Sequence, residues 1–293
     1  MGGGAWTEKD YVSYSASVGR STKRDASTGT MYFMADGYST QEVYKSRRIQ
    51  PELDPKNVMR ECCDSEEHPN TIPVILALDV TGSMGSTAVK VASKLNEVMT
   101  KLYDNVTDVE FCIMGIGDLA FDDAPIQISQ FESDIRIAEQ LDKVYFEGGG
   151  GGNSFESYTA AWYMGVNHTK LDCWKRGKKG IIITMGDEPL NPYLPANFLA
   201  RATGDGVQAD VETKDLYNEV IEKFDVYHLA VDGGHSNCYS RFADTIKATY
   251  GKYLDDNHFK VTNLDSIAGD IIDIVTNAAN GVPNVTNNTE ISW

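Results

Sequence analysis

Side-chain oxygens cluster in three short segments of the chain: DVTGSM at Asp79 to Met84, GGGGGNSFES around Asn153, and TMGDEP at Thr184 to Pro189. Oxygen donors suit a hard cation; Mg²⁺ takes six of them at roughly 2.0–2.1 Å and tends to keep several waters. Asp79 and Asp187 offer charge, and Thr81 and Ser83 offer neutral hydroxyls. That set leaves at least one coordination position for water or an incoming carboxylate. It needs no histidine or cysteine, which disfavours zinc. The same residues also have plainer uses. Asp79 could cap a strand-to-helix turn while Thr81 and Ser83 satisfy orphan amides, and Asp187, ahead of Glu188 and Pro189, could simply close a turn.

These segments are positioned by alternating blocks that begin at Pro73. PVILALDV is a continuous apolar run of strand length, and Val91, Leu95, Val98 and Leu102 then recur at helical spacing. DVEFCIMGIGD, GIIITMGDEP and VYHLAVDGG are further buried-strand candidates, with IQISQF a short alternating one. Helices are expected over Ser133 to Val144, around Leu216, Val220 and Phe224, through Phe242, Ile246 and Tyr250, and along Ile267, Ile271, Ile274 and Ala278. Gly148 to Gly152 must form a loop, since each glycine costs about 1 kcal/mol in a helix interior. Asn153 with Glu156 three residues on reads as a capping box, starting a helix that runs to about His168. Strands apolar on both faces, alternating with helices, predict an α/β fold with a doubly wound, mainly parallel central sheet. Ligands of such sheets bind outside the carboxyl ends of the strands. Asp118 and Asp232 also fall there and are read as turn formers.

Residues 1–70 are polar and mixed and read as an N-terminal extension, followed by the main domain over 71–281 and a polar tail over 282–293. Within the extension, MYFMADGY could form a strand or hairpin and TQEVYKSR a short helix. The formal charge of −17, from 26 basic and 43 acidic residues, repels phosphate backbones and anionic membranes. No apolar run reaches the roughly 20 residues that span a bilayer, and the start, MGGGAWTEKDYV, lacks the basic and hydrophobic regions of a signal peptide. Cys62, Cys63, Cys112, Cys173 and Cys238 are odd in number and show no CxxC spacing, so a reducing, cytoplasmic setting is expected. The five histidines, His68, His168, His228, His235 and His258, form no HExxH pattern.

DVTGS, after an apolar strand and before an amphipathic helix, resembles the DxSxS signature of von Willebrand factor A domains. TMGDEP resembles the segment carrying the later aspartate of that family's metal-ion-dependent adhesion site. The resemblance spans about residues 72 to 280. It implies a Mg²⁺ or Mn²⁺ ion held by Asp79, Thr81 and Ser83 from the first loop and by Asp187 from a later one, often through water, with a partner's acidic group completing the coordination. Threonine stands at the first serine position, which keeps the hydroxyl. The family's middle loop usually supplies a threonine after paired glycines, whereas here the glycines lead into Asn153 and Ser154; either could substitute, and Asn153 is the expected ligand. Intracellular members often work beside AAA+ ATPases of the MoxR type, so the resemblance implies an adaptor.

Rival readings are a phosphatase, a nucleotide-binding fold, and a structural module with an idle metal site. A haloacid-dehalogenase-like phosphatase needs a second aspartate where Thr81 stands and a lysine that is not evident. Neither GxxxxGK[ST] nor a GxGxxG after the first strand is present. The sequence therefore points to a metal-dependent interaction module and not to an enzyme.

Overall fold

The continuous apolar runs become the inner strands of a six-stranded sheet. In the computed structural model, which describes residues 4–35, 38–147, 152–153, 155–233 and 237–281, the strands are β1 (Ile72–Asp79), β2 (Val109–Ile116), β3 (Ile126–Ile128), β4 (Gly180–Gly186), β5 (Phe224–Val231) and β6 (Phe259–Thr262). Their spatial order is β6-β5-β4-β1-β2-β3. All neighbours run parallel except β3, which pairs antiparallel with β2 at one edge. This is the expected α/β architecture. The sheet's other edge, β6, went unforeseen because FKVT is short and interrupted by Lys260.

The helices are α1 (Glu8–Ser17), α2 (Ser86–Ser93), α3 (Leu95–Tyr103), α4 (Arg136–Lys143), α5 (Thr159–Asn167), α6 (Ala196–Thr203), α7 (Thr213–Val220), α8 (Cys238–Tyr250) and α9 (Ile267–Ala279). Successive side chains of a strand point to opposite faces, and β1 divides its residues accordingly. Val74, Leu76 and Leu78 join one core with Tyr11 of α1, Leu95 and Val98 of α3, Ile137 of α4 and Ile271 of α9. Ile75 and Ala77 join the other, with Trp162 of α5, Leu199 of α6, Leu216 of α7 and Ile246 of α8. By the same alternation Asp79 belongs to the second face, beneath α5.

Several boundaries differ from those the sequence suggests. The stripe from Val91 to Leu102 is shared by two helices that meet at Lys94. Phe224 opens β5 instead of closing a helix, because the buried second face has room for its ring. Phe242 sits at a non-helical step in α8 and is half exposed, while Ile246 and Tyr250 are buried. The helix expected to start at Asn153 starts at Thr159, with Tyr158 before it and no capping box. The run Gly148 to Gly151, Ser154, His235 and the tail 282–293 lie outside the described residues. Among the described residues no helix is long and apolar enough to cross a membrane.

Much of the chain before Ile72 packs onto the first face, while Arg60–Cys62 pairs parallel with Thr169–Leu171 and buries Cys62 in the second core. Thr22–Arg24 and Met31–Phe33 pair as an antiparallel hairpin. Thr40–Val43 is one helical turn, whose Glu42 carboxylate accepts bonds from the Ser39 amide and hydroxyl, both at 2.7 Å. Trp6, Tyr11, Phe33 and Tyr44 are buried in the core that the sheet shares with α3 and α9. The Trp6 indole donates to Asn96 Oδ1 at 2.9 Å, and the Tyr44 hydroxyl donates to the Ala88 carbonyl at 3.1 Å. A polar texture with scattered aromatics thus conceals a lid on the core. Trp6→Ala should lower the unfolding free energy by about 3–5 kcal/mol, read from denaturant midpoints. A change below ~1 kcal/mol would show that the segment only lies on the surface.

Candidate functional site

The site begins where β1 and β4 end. Their register pairs Leu78 with Met185, so the two strand ends lie side by side. Both carboxylates beyond that pair, Asp79 and Asp187, are fully buried. Asp79 Oδ1 accepts the Thr81 amide at 2.9 Å and the Thr81 hydroxyl at 2.6 Å. Thr81 Oγ1 lies 3.2 Å from Ser83 Oγ, which donates to Asp187 Oδ1 at 2.7 Å. One line of side-chain oxygens therefore joins loops 104 positions apart. It brings together Asp79, Thr81, Ser83 and Asp187, four of the five residues expected from sequence.

Asn153 is placed differently. Its side-chain amide is given to Asp118 Oδ2. Asp118 Oδ1 also accepts the Ala120 amide at 2.6 Å, and the Leu119 amide reaches Ser157 Oγ at 3.0 Å. Asn153 thus ties the middle loop to the loop after β2. Asp232 accepts the Gly233 amide and the Ser240 hydroxyl, each at 2.8 Å, as a turn former does.

Tyr158, which sequence reasoning missed, locks the first carboxylate: its hydroxyl donates to Asp79 Oδ2 at 2.6 Å and accepts the Glu188 amide at 3.3 Å. Burial and the Asp79 charge hold the phenol well above its usual range, so it remains a donor. It fits because residue 186 is glycine; a Cβ there would lie 2.0 Å from the Tyr158 hydroxyl. Beneath it, His228 stacks on Tyr250 with ring centroids 3.9 Å apart and meets Tyr158 edge-on at 5.2 Å. His228 Nδ1 is 2.8 Å from Thr184 Oγ1. Nothing in the sequence signals this aromatic floor, since its residues come from the position just before α5 and from α8, β4 and β5.

Negative charge gathers around the line of oxygens. Burial, then the charge of Asp187, pushes Asp79 up to about 7 against the bonds from Thr81 and Tyr158. Glu188 is also raised, by burial and Asp79. Glu156 is pushed up to about 11 by burial and by Asp79, Glu188, Asp122 and Asp118. None of the groups acting most strongly on Asp79 or Glu156 is a cation. Among the described residues, no three His, Cys, Asp or Glu side chains converge closely enough to hold a metal by themselves. The converging donors are two carboxylates and two hydroxyls, a neutral-plus-charged oxygen set whose chemistry fits a hard dication.

No family model matches the sequence, and neither does any curated protein. Several solved structures are similar in overall shape. The pilus adhesin SpaC from Lactobacillus rhamnosus GG, in its open conformation, is 11% identical, with 77% of this chain and 31% of that one covered and a TM-score of 0.48. Proximal thread matrix protein 1 from the mussel byssus is 13% identical, with coverages of 74% and 49% and a TM-score of 0.44. The vWF domain of the type V pili tip protein Mfa5 from Porphyromonas gingivalis is 12% identical, with coverages of 72% and 96% and a TM-score of 0.43. The chain spans less than half the length of SpaC.

Two outcomes test the floor of the site. Gly186→Ala should cost at least 1–3 kcal/mol by overpacking against Tyr158, seen as a lower melting temperature. Burial pulls the His228 imidazole down to about 3 from its usual 6.5, so the folded state refuses a proton that the unfolded chain accepts. Its contribution to stability is complete above pH 6.5 and is lost as pH falls from there towards 3, at up to about 1.4 kcal/mol per pH unit. Stability measured from pH 7 to 4 should fall less steeply in His228→Phe than in the parent; equal slopes would assign the acid sensitivity elsewhere.

Proposed function

We propose that the protein is an interaction module of the von Willebrand factor A type, which captures a partner protein through a Mg²⁺ or Mn²⁺ ion and catalyses no reaction. Asp79, Thr81, Ser83 and Asp187 hold the ion, and an acidic side chain of the partner completes its coordination. The observation that carries this reading is the bond from Ser83 to Asp187, 2.7 Å long, which unites the two loops that the DxSxS resemblance assigns to one metal. Two buried carboxylates of like charge are costly side by side. A dication between them removes that cost and leaves a position open to an external oxygen. A bound cation would supply positive charge; the chain's own residues would position it, Tyr158 by fixing the second oxygen of Asp79.

The role follows from the resemblance: an adaptor in a cytoplasmic assembly, with a MoxR-type AAA+ ATPase as the partner class. The acidic surface, at −17, argues against nucleic acid and anionic membranes as partners. One observation favours a second reading, in which the fold is structural and the metal site idle. Asp79, Thr81, Ser83 and Asp187 are already joined to one another by hydrogen bonds.

Melting with and without cation separates the two readings. If the native state binds Mg²⁺ or Mn²⁺, metal at a hundred times its dissociation constant adds about 2.7 kcal/mol. The midpoint should rise in the parent, fall back with chelator, and stay fixed in Asp79→Ala. No rise in the parent at millimolar metal would leave the structural reading.

A further inference from the structure

A second pair of carboxyl groups meets away from Asp79 and Asp187, where the loop after β2 turns back towards β3. Asp122 is buried there; its Oδ2 accepts the Asp118 amide at 2.7 Å, and its own amide is given to the Asp118 carbonyl at 2.9 Å. The side chain lies so close over the backbone that a Cβ on Gly117 would collide with Oδ2. Glu147, just past α4, reaches the same loop: its Oε1 accepts the Asp123 amide at 2.7 Å and the Ala124 amide at 3.2 Å. The chain leading to Glu147 is fixed in turn. Gln127 of β3 bonds the amide and the carbonyl of Tyr145, at 2.7 and 2.8 Å, and the Phe146 ring stacks on Tyr44. Amides of one short loop therefore draw the two side chains together, and they hydrogen-bond to each other. Ionised carboxylates can only accept, so that bond requires a proton between them.

We infer that Asp122 and Glu147 share one proton and form a pH-sensitive clasp, closed in acid and released in base, that fastens loop 118–124 to segment 144–147. The charged neighbours set its direction. Asp118 and Asp123 act on Asp122, Asp122 acts on Glu156, and Tyr145 faces Glu147, Asp123, Asp122 and Arg47. Burial, then the charge of Asp122, pushes Glu147 up to about 7 from its usual 4.5. A carboxyl raised in this way stabilises the closed form while protonated; its contribution is complete below pH 4.5 and is lost as pH rises through 7. Above that both groups are charged and repel. The clasped loop also bears on the rim of the sheet. Asp118 holds Asn153, and Ser157, next to Tyr158, bonds the Gly117 carbonyl at 3.3 Å and the Leu119 amide at 3.0 Å. None of this requires a cation at Asp79 and Asp187.

Nuclear magnetic resonance on the full-length protein tests the clasp. In the parent the Glu147 carboxyl carbon should titrate with a midpoint of about 7. Protection of the Asp123 and Ala124 amides against hydrogen exchange, corrected for the chemical exchange rate, should fall roughly tenfold between about pH 6 and 8. Glu147→Gln gives Asp122 a permanent N–H donor and keeps the acceptor for the two amides, so its protection should stay level over that range. The Ile113 amide, bonded to Ser129 Oγ at 2.8 Å, should keep its protection in both proteins. Level protection at Asp123 and Ala124 in the parent, or an equal fall in Glu147→Gln, would overturn the clasp. A matching loss at Ile113 would do the same, by showing that the whole fold loosens. If Glu147→Gln does not fold, Asp122→Asn places the donor on the other side; the Glu147 midpoint should then drop by roughly one pH unit or more, and an unchanged midpoint overturns the shared proton.

Discussion

Two carboxylates of like charge, Asp79 and Asp187, are buried at the ends of adjacent strands, and the rest of the site is arranged around that repulsion. The parallel register of β1 and β4 fixes their proximity. Neither side chain can retreat to water, since both are fully buried. Hydroxyls from Thr81, Ser83 and Tyr158 divide the load by donating to three of the four oxygens. Hydroxyl donors reduce the cost of a buried anion without cancelling its charge. A cation would cancel it, which is why the charge pattern and the donor chemistry lead to the same proposal.

The walls of the site are stiff for reasons of packing. Gly186 admits Tyr158, which stands over His228, which stacks on Tyr250 and Phe259. Each aromatic in that column is held by the next, so the hydroxyl that fixes Asp79 has little freedom. A position for a metal ligand requires this kind of support, because ligating groups must keep their orientation. The middle loop is supported separately, through the Asn153–Asp118 bond and the Ser157–Leu119 contact.

The opposite face explains why a polar beginning belongs to the molecule. Trp6, Tyr11, Phe33 and Tyr44 cover the helices that flank β1 on its first side. His68 adds a tie, with Nε2 3.1 Å from the Gly4 carbonyl and Nδ1 3.3 Å from Asp108 Oδ1. Those four aromatics thereby close one core while the site occupies the edge of the other.

By itself the sequence determined the fold class, the strands β1 to β5, and four of the residues that meet at the ends of β1 and β4. Apolar runs of strand length read as parallel interior strands because both faces are buried, and residues just beyond them fall at one edge whatever the loops do. The sequence misassigned Phe224 and the start of α5, where local pattern fits two structures equally well. Only the tertiary structure decided that Asn153 turns to Asp118, that Tyr158 holds Asp79, and that Glu156 is buried among carboxylates. Those facts depend on contacts between residues 30 to 80 positions apart. Hydrogen bonding and like-charge repulsion act over a few ångströms in space, and no periodicity along the chain records which side chains fold to within that range.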